Sequence, residues 1–303
     1  MRLAALLFLV QAAAPAPSVD QLLARVTEEA EMLRQNARFA LTEERLEQRV
    51  LRPNTRFHPR VGQAASQPEP MTLQTREIVS EYSIGTLGKG DSELLMEFRQ
   101  VVSVDGKAVQ STAKARHALS LGLRSKEDAA RKRMLEDFEK HGLVGAVTDF
   151  GTLLLQFTKR QIRELKITPA GKTLLGADPA VIFNYEQITG AGMLDFHNRK
   201  VVRYPLKGTL IVRASDGLPL RITVGIRRME DGHEYIDEAV VDYVMTAHGF
   251  VGPASVVHRR MGDRQLMAEN RFTYGPFHRF GADAEIKFTE VPEPPPAAPA
   301  AKP

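Results

Sequence analysis

The side chains best suited to proton transfer or metal ligation are the eight histidines, at positions 58, 117, 141, 197, 233, 248, 258 and 278, and they are scattered along the chain. His233-Glu234 has no second histidine four positions after the first, so the zinc-hydrolase helix motif is missing. GPASV, from Gly252 to Val256, does not match the G-x-S-x-G turn that exposes a hydrolase nucleophile. GTLGKGD, around Gly88 and Gly90, lacks the Gly-Lys-Ser/Thr ending of a phosphate loop and lies between strand-like segments, so it reads as a turn. Cysteine is absent, which removes disulfides, a lipidated N-terminal cysteine and every thiolate metal site. Asp195, Glu238, Asp242 and Glu269 fall in or near predicted strands. Spacing alone does not bring two of them within the ~5–9 Å that glycosidase pairs require, so they read as residues of a wet face. These observations point away from an enzyme and call for no cofactor or metal.

Two residue sets remain as binding candidates. In PLRITVGIRR, Leu220, Ile222, Val224 and Ile226 share one strand face while Arg221, Thr223 and Arg227 take the other; in PAVIFNYEQI, Val181, Phe183 and Tyr185 alternate in the same way. Together these seven form an apolar surface suited to an apolar ligand. The second set is cationic: His258, Arg259, Arg260, Arg264 and Arg271 lie in consecutive predicted strands near Arg227 and Arg228. Were His258, Arg260 and Arg271 to converge, they would form an anion contact for a carboxylate or head group. Paired to Glu269, Asp237 and Asp242 instead, these cations are ordinary sheet-surface arginines.

The elements that position these residues are mostly strands. Ser18 and Gln21 form a capping box, and Val19, Leu22, Leu23, Val26, Ala30 and Leu33 recur at helical spacing, which predicts a helix from Val19 to Gln35. Its polar face carries Glu28, Glu29 and Glu31 beside Arg25 and Arg34. Ala37 to Arg52 is read as a strand, residues 53–73 as a long proline-bearing loop, and Arg76 to Ile84 and Glu93 to Val104 as a strand pair ending at Asp105-Gly106, a hairpin signal before Lys107. Residues 125–157 form a helical insertion: Ser125 supplies an N-cap, Ala129, Ala130, Met134, Leu135 and Phe138 form a stripe, and Phe150 to Phe157 is a short buried helix. Strands are expected over 162–168, 179–188, 207–214, 219–228, 235–246, 254–261, 265–274 and 285–289, with turns at Ala170-Gly171 and at Ser215-Asp216-Gly217.

The organisation that follows is a signal peptide at 1–17, one β-rich domain at 18–291 and a disordered Pro/Ala-rich tail at 292–303. MRLAALLFLVQAAAPAP has the charged start, apolar run and small residues of a secretory leader, and its apolar run is far shorter than the ~20 residues of a membrane anchor. No later run spans a bilayer as a helix, so a periplasmic or extracellular location is expected. With 41 basic and 37 acidic residues among 303, the net charge is +4, and the charges are intermixed. Neither a basic stripe nor an aromatic RNA-binding motif is present, so nucleic acid is not an expected partner.

The element order, an exported helix followed by a long run of antiparallel strands, a helical insertion and the closing pattern GTLIVRASDGLPLRI (Gly208 to Ile222), resembles the LolA-like lipoprotein-carrier superfamily. FRQVVSVDGKAV (Phe98 to Val109) and FTYGPFHRFGADAEIKF (Phe272 to Phe288) also resemble uncharacterised secreted proteins of soil bacteria. The resemblance implies an α+β, mostly β fold: a strongly curved antiparallel sheet or incomplete β-barrel covered by the N-terminal helix and the helical insertion. It implies a non-catalytic carrier whose partner is a lipid or lipoprotein acyl chain held in the concavity of the sheet. It transfers no functional residue. The alternatives are an envelope scaffold without ligand and a hydrolase with a dispersed site.

Overall fold

The computed structural model describes residues 17–53, 71–87, 94–125, 128–143, 150–190, 193–197, 200–230 and 232–280. The leader, the 53–73 loop apart from its ends, the GTLGKGD turn beyond its first three residues, the expected strand at 285–289 and the Pro/Ala tail lie outside them.

Helix α1 (Val19–Asn36) starts where the capping box places it: Gln21 N–H donates to the Ser18 hydroxyl and the Ser18 N–H to the Gln21 side chain, satisfying two orphan donors of the first turn. Leu22, Val26, Ala30 and Leu33 are buried, each large side chain contributing about 1.5–3 kcal/mol of burial. A short 3-10 turn (Ala37–Phe39) leads into strand β1 (Ala40–Pro53), followed by β2 (Met71–Leu87), β3 (Leu94–Val104) and the two-residue β4 (Lys107–Ala108). Asp105 and Gly106 both have positive φ, 49° and 74°, the geometry that a two-residue hairpin turn demands and that Asp-Gly supplies at least cost. Next come α2 (Thr112–Arg124) and α3 (Asp128–Glu139), a 3-10 helix at Leu153–Phe157 and another at Gln161–Glu164. Ser125, read from sequence as an N-cap, instead ends α2, its N–H returning to Leu121 and Gly122.

The remaining strands are β5 (Leu165–Leu175), β6 (Asp178–Gln187), β7 (Met193–His197), β8 (Lys200–Tyr204), β9 (Lys207–Arg213), β10 (Pro219–Glu230), β11 (His233–Met245), β12 (Val251–Gly262), β13 (Gln265–Tyr274) and β14 (His278–Arg279). Apart from the separate β7–β8 hairpin, they build one antiparallel sheet in the order β4-β3-β2-β1-β13-β12-β11-β10-β9-β6-β5, with β14 on β1. Nearly every neighbour is also a sequence neighbour, so the sheet is a meander whose long-range seam joins β1 to β13, from Glu44↔Tyr274 to Val50↔Ala268, and to β14 at Ala40↔Arg279. Among the described residues the sheet is not closed into a barrel, since its end strands β4 and β5 are not paired to each other.

Strand alternation assigns two faces. The inner face carries Leu46, Ile78, Phe272, Val256, Val241, Ile222, Leu210 and Phe183, and α1 and the Leu153–Phe157 turn close over it in one continuous core. On the outer face, α2 lies against β2 and β3, with Leu119 beside Phe98. Helix α3 crosses the β3 edge: Met134 joins the outer cluster and Phe138 the inner one. The other end strand, β5, is guarded by sequence, because Pro169 lacks an N–H, Gly171 forms a bulge at φ 141°, and Lys166 and Lys172 add charge.

Candidate functional site

The apolar candidates form one surface. Ile222, Phe183 and Tyr185 are buried in the core beneath α1 and the 153–157 turn, and Leu220 and Val181 pack at its margin. Val224 and Ile226 are buried in the same core, and their stretch of β10 also borders a cleft of about 810 Å³ where β9 begins. The cleft arises from a break in the β9–β10 ladder. Strand β9 meets β10 at Ile222↔Leu210 and again only at Gly225↔Lys207. Between these points the Thr223 carbonyl accepts from the Tyr185 hydroxyl at 2.7 Å, and the Thr209 N–H donates to the Thr223 hydroxyl at 2.9 Å. Gly208 permits the approach: a Cβ there would stand 1.9 Å from the Thr223 oxygen.

Leu206, Val224, Ile226, Ile236, Ala239 and Val240 give the cleft an apolar lining, and Glu186, Lys207, Arg227 and Glu238 add charge. Gly225 leaves the floor open, since a Cβ added there meets nothing within 4 Å. Glu186, Lys207, Gly225 and Glu238 are successive cross-strand partners on the outer face. The two carboxylates therefore stand three strand spacings apart, about 14 Å along the sheet, beyond the reach of an acid/base pair acting on one glycosidic bond. Lys207 sits between them and leaves this end of the cleft without a cationic excess.

The inner face also holds charge that sequence reasoning missed. Arg99 on β3 is 2% exposed, donates from Nε and Nη2 to the two Glu44 oxygens at 2.7 and 2.9 Å, and also donates to Glu97. Tyr82 donates its hydroxyl to Glu97 at 3.1 Å. The guanidinium lies 5.0–5.4 Å from the ring centres of Phe138, Tyr82 and Phe272, so three aromatic faces receive the cation where water cannot. Burial opposes its charge, but Glu44 and Glu97 hold the Arg99 pKa well above its ordinary value; burial and Glu97 likewise push Tyr82 up. A sealed cluster of this kind positions strands rather than performing chemistry.

A second polar chain crosses the same face. The Leu143 N–H donates to Gln48 Oε1, Gln48 Nε2 donates to Asn270 Oδ1 at 2.8 Å, Asn270 Nδ2 lies 3.2 Å from His258 Nδ1, and His258 Nε2 lies 2.9 Å from Asp237. Arg260 and Arg228 flank Asp237 at 2.9 and 3.4 Å. Burial raises the Asp237 pKa, but the bonds from His258 and Arg260 outweigh it and hold the carboxyl at about 2. With both ring nitrogens engaged and Phe150 over the ring at 5.0 Å, His258 is not placed as a general base.

Of the cationic candidates, the structure brings His258 and Arg260 together on the inner face and sends Arg271 to the outer one, as the pairing His258↔Asn270 and Val257↔Arg271 requires. Arg271 there joins Arg49 and Arg259 around Glu269. Burial raises the Glu269 pKa, and the bonds from Arg271 and Arg259 bring it down to about 2. Arg221 pairs with Asp242 and Arg227 with Glu234. Among the described residues, no group of three or more His, Asp or Glu is placed to hold a metal ion, and no helix is long and apolar enough to cross a membrane.

Neither a family model nor a curated protein matches the chain. Solved structures do. The resemblance is to LolA-like proteins. A DUF1329 family protein from Desulfovibrio piger matches at 9% identity and a TM-score of 0.39, over 87% of this chain and 94% of that one. A LolA superfamily protein from Nitrosomonas europaea matches at 9% identity and a TM-score of 0.33, over 85% and 93%. With TM-scores below 0.5 these matches carry nothing over to this chain, and its ligand must be argued from its own residues.

Proposed function

We propose that this chain is an exported, non-catalytic binding protein that takes an apolar ligand, a lipid or an acyl chain, in the cleft beside β9. The observation that supports this reading is the cleft of about 810 Å³ itself, whose lining includes the apolar Leu206, Val224, Ile226, Ile236, Ala239 and Val240, with Ile236 and Val240 on the outer face of the sheet. Its volume falls within the ~300–1,000 Å³ typical of small-molecule sites, and it combines apolar lining with charged groups at its edges. The ligand does not lie beneath α1, because that part of the face is filled by side chains. Export rests on the leader-like N-terminus, the apolar ligand on the cleft.

Native mass spectrometry of the protein purified without detergent tests the reading. The expected result is a bound mass that dissociates as a lipid, or that appears after incubation with phospholipid vesicles. A protein that stays at its bare mass after such incubation overturns it.

A further inference from the structure

The hydrogen-bond chain through Gln48, Asn270 and His258 has a fixed direction. A backbone N–H can only donate, so Leu143 sets Gln48 with its oxygen toward residue 143 and its amino group toward Asn270. Asn270 must then accept at Oδ1, which turns its own amino group toward His258 Nδ1. At the far end the Asp237 carboxylate can only accept, so the imidazole proton sits on Nε2. Both ends thus select the same neutral tautomer of His258, whose ring is 3% exposed.

We propose that this chain is a proton-sensitive latch that ties Leu143, just after α3, to the sheet. Protonating His258 places a second donor at Nδ1, opposite the donor of Asn270. Rotating the Asn270 amide relieves that clash but presents its amino group to the amino group of Gln48. Rotating Gln48 in turn relieves the second clash but presents an amino group to the Leu143 N–H. Each rotation restores one bond and breaks the next, and the last conflict falls on a backbone donor that cannot become an acceptor. The proton at β12 is thereby exchanged for the anchor at Leu143. Phe150, the next described residue along the chain, rests on the same imidazole.

The charges that face His258 act in both senses. Asp237 on β11 favours the imidazolium, while Arg260 on β12 and Arg228 on β10, both gathered on Asp237, oppose it. Gln48 on β1, Asn270 on β13 and Phe150 carry no charge, and Glu269, Arg259 and Arg271 lie on the opposite face of the sheet. The amide chain converts protonation of His258 into release of the Leu143 N–H from Gln48.

Nitrogen-15 NMR of the full chain tests the proposal. At neutral pH His258 is expected to carry its proton on Nε2. As the pH falls, amide-exchange protection at Leu143 is expected to drop at least tenfold with the same midpoint as His258 protonation. His258→Gln, whose oxygen and amino group replace the acceptor and donor of the neutral ring, is expected to keep that protection flat over the same range. An Nδ1–H tautomer, protonation without loss at Leu143, an equal loss in His258→Gln, or a histidine still neutral when the chain unfolds would each overturn it. Should His258→Gln fail to fold, the wild-type tautomer and the shared midpoint still decide.

Discussion

Arg99 shows most plainly how single residues hold this molecule together. One guanidinium binds both Glu44 from β1 and Glu97 from β3, and Tyr82 of β2 donates to Glu97, so three strands are tied by buried polar groups. Arg99→Met leaves two carboxylates buried without their cation, and a loss of about 3–5 kcal/mol in urea-unfolding free energy is expected. Asp237 provides a pH-dependent counterpart. Its folded pKa of about 2 lies below the unfolded value of about 4, so its contribution is present above pH ~4 and disappears as the pH falls toward ~2. That contribution is on the order of 2 kcal/mol, and unfolding midpoints measured across this window should fall more steeply for the wild type than for Asp237→Asn. Glu29 marks a limit of reading residues from pattern. The helical stripe put it on the polar face of α1, yet it is 3% exposed and paired with Arg25, because the Ser215-Asp216-Gly217 turn packs close against this part of the helix.

At the scale of elements, the strands with strict alternation, β6 and β9 to β13, were legible to within a few residues, because one face is apolar and the other wet. Strand β1 was not so transparent. Its inner positions are Thr42, Glu44, Leu46, Gln48 and Val50, and period-two reasoning cannot tell an inner face that is mostly polar from an outer one. Helix α2 gave little signal because its contact face is built on Ala115, Leu119 and Gly122, where small residues permit close packing rather than forming an apolar stripe. The turn expected at Ala170-Gly171 is a bulge inside β5, since the same glycine serves either purpose. The β9–β10 break was invisible for another reason: it depends on the Tyr185 hydroxyl reaching a carbonyl two strands away. Gly208→Ala would force the Cβ into Thr223, and about 1–3 kcal/mol of destabilisation is expected in a urea-unfolding series, together with closure or distortion of the cleft.

For the whole molecule, the sheet joins the beginning and end of the described chain at the β1–β13 seam, and the inner face divides into two parts. One is apolar and closed by α1; the other is polar and closed by α3 and Phe150. Alternation foretold the first part, and the architecture was what the family resemblance implied. The second depends on partners more than two hundred residues apart, such as Gln48 and Asn270, which no local pattern connects. The cleft opens where β9 begins, with Gly225 and Glu238 on the outer face, and the proposed function rests on it. Gly225→Leu provides the direct test, because the new side chain enters empty cleft space without displacing backbone. In a titration with a fluorescent palmitate analogue, saturable binding is expected for the wild type and at least a tenfold weaker Kd for Gly225→Leu, with both proteins unfolding at similar urea concentrations. Equal affinity in the two proteins, or no saturable binding by the wild type, would contradict the assignment of the cleft as the ligand site.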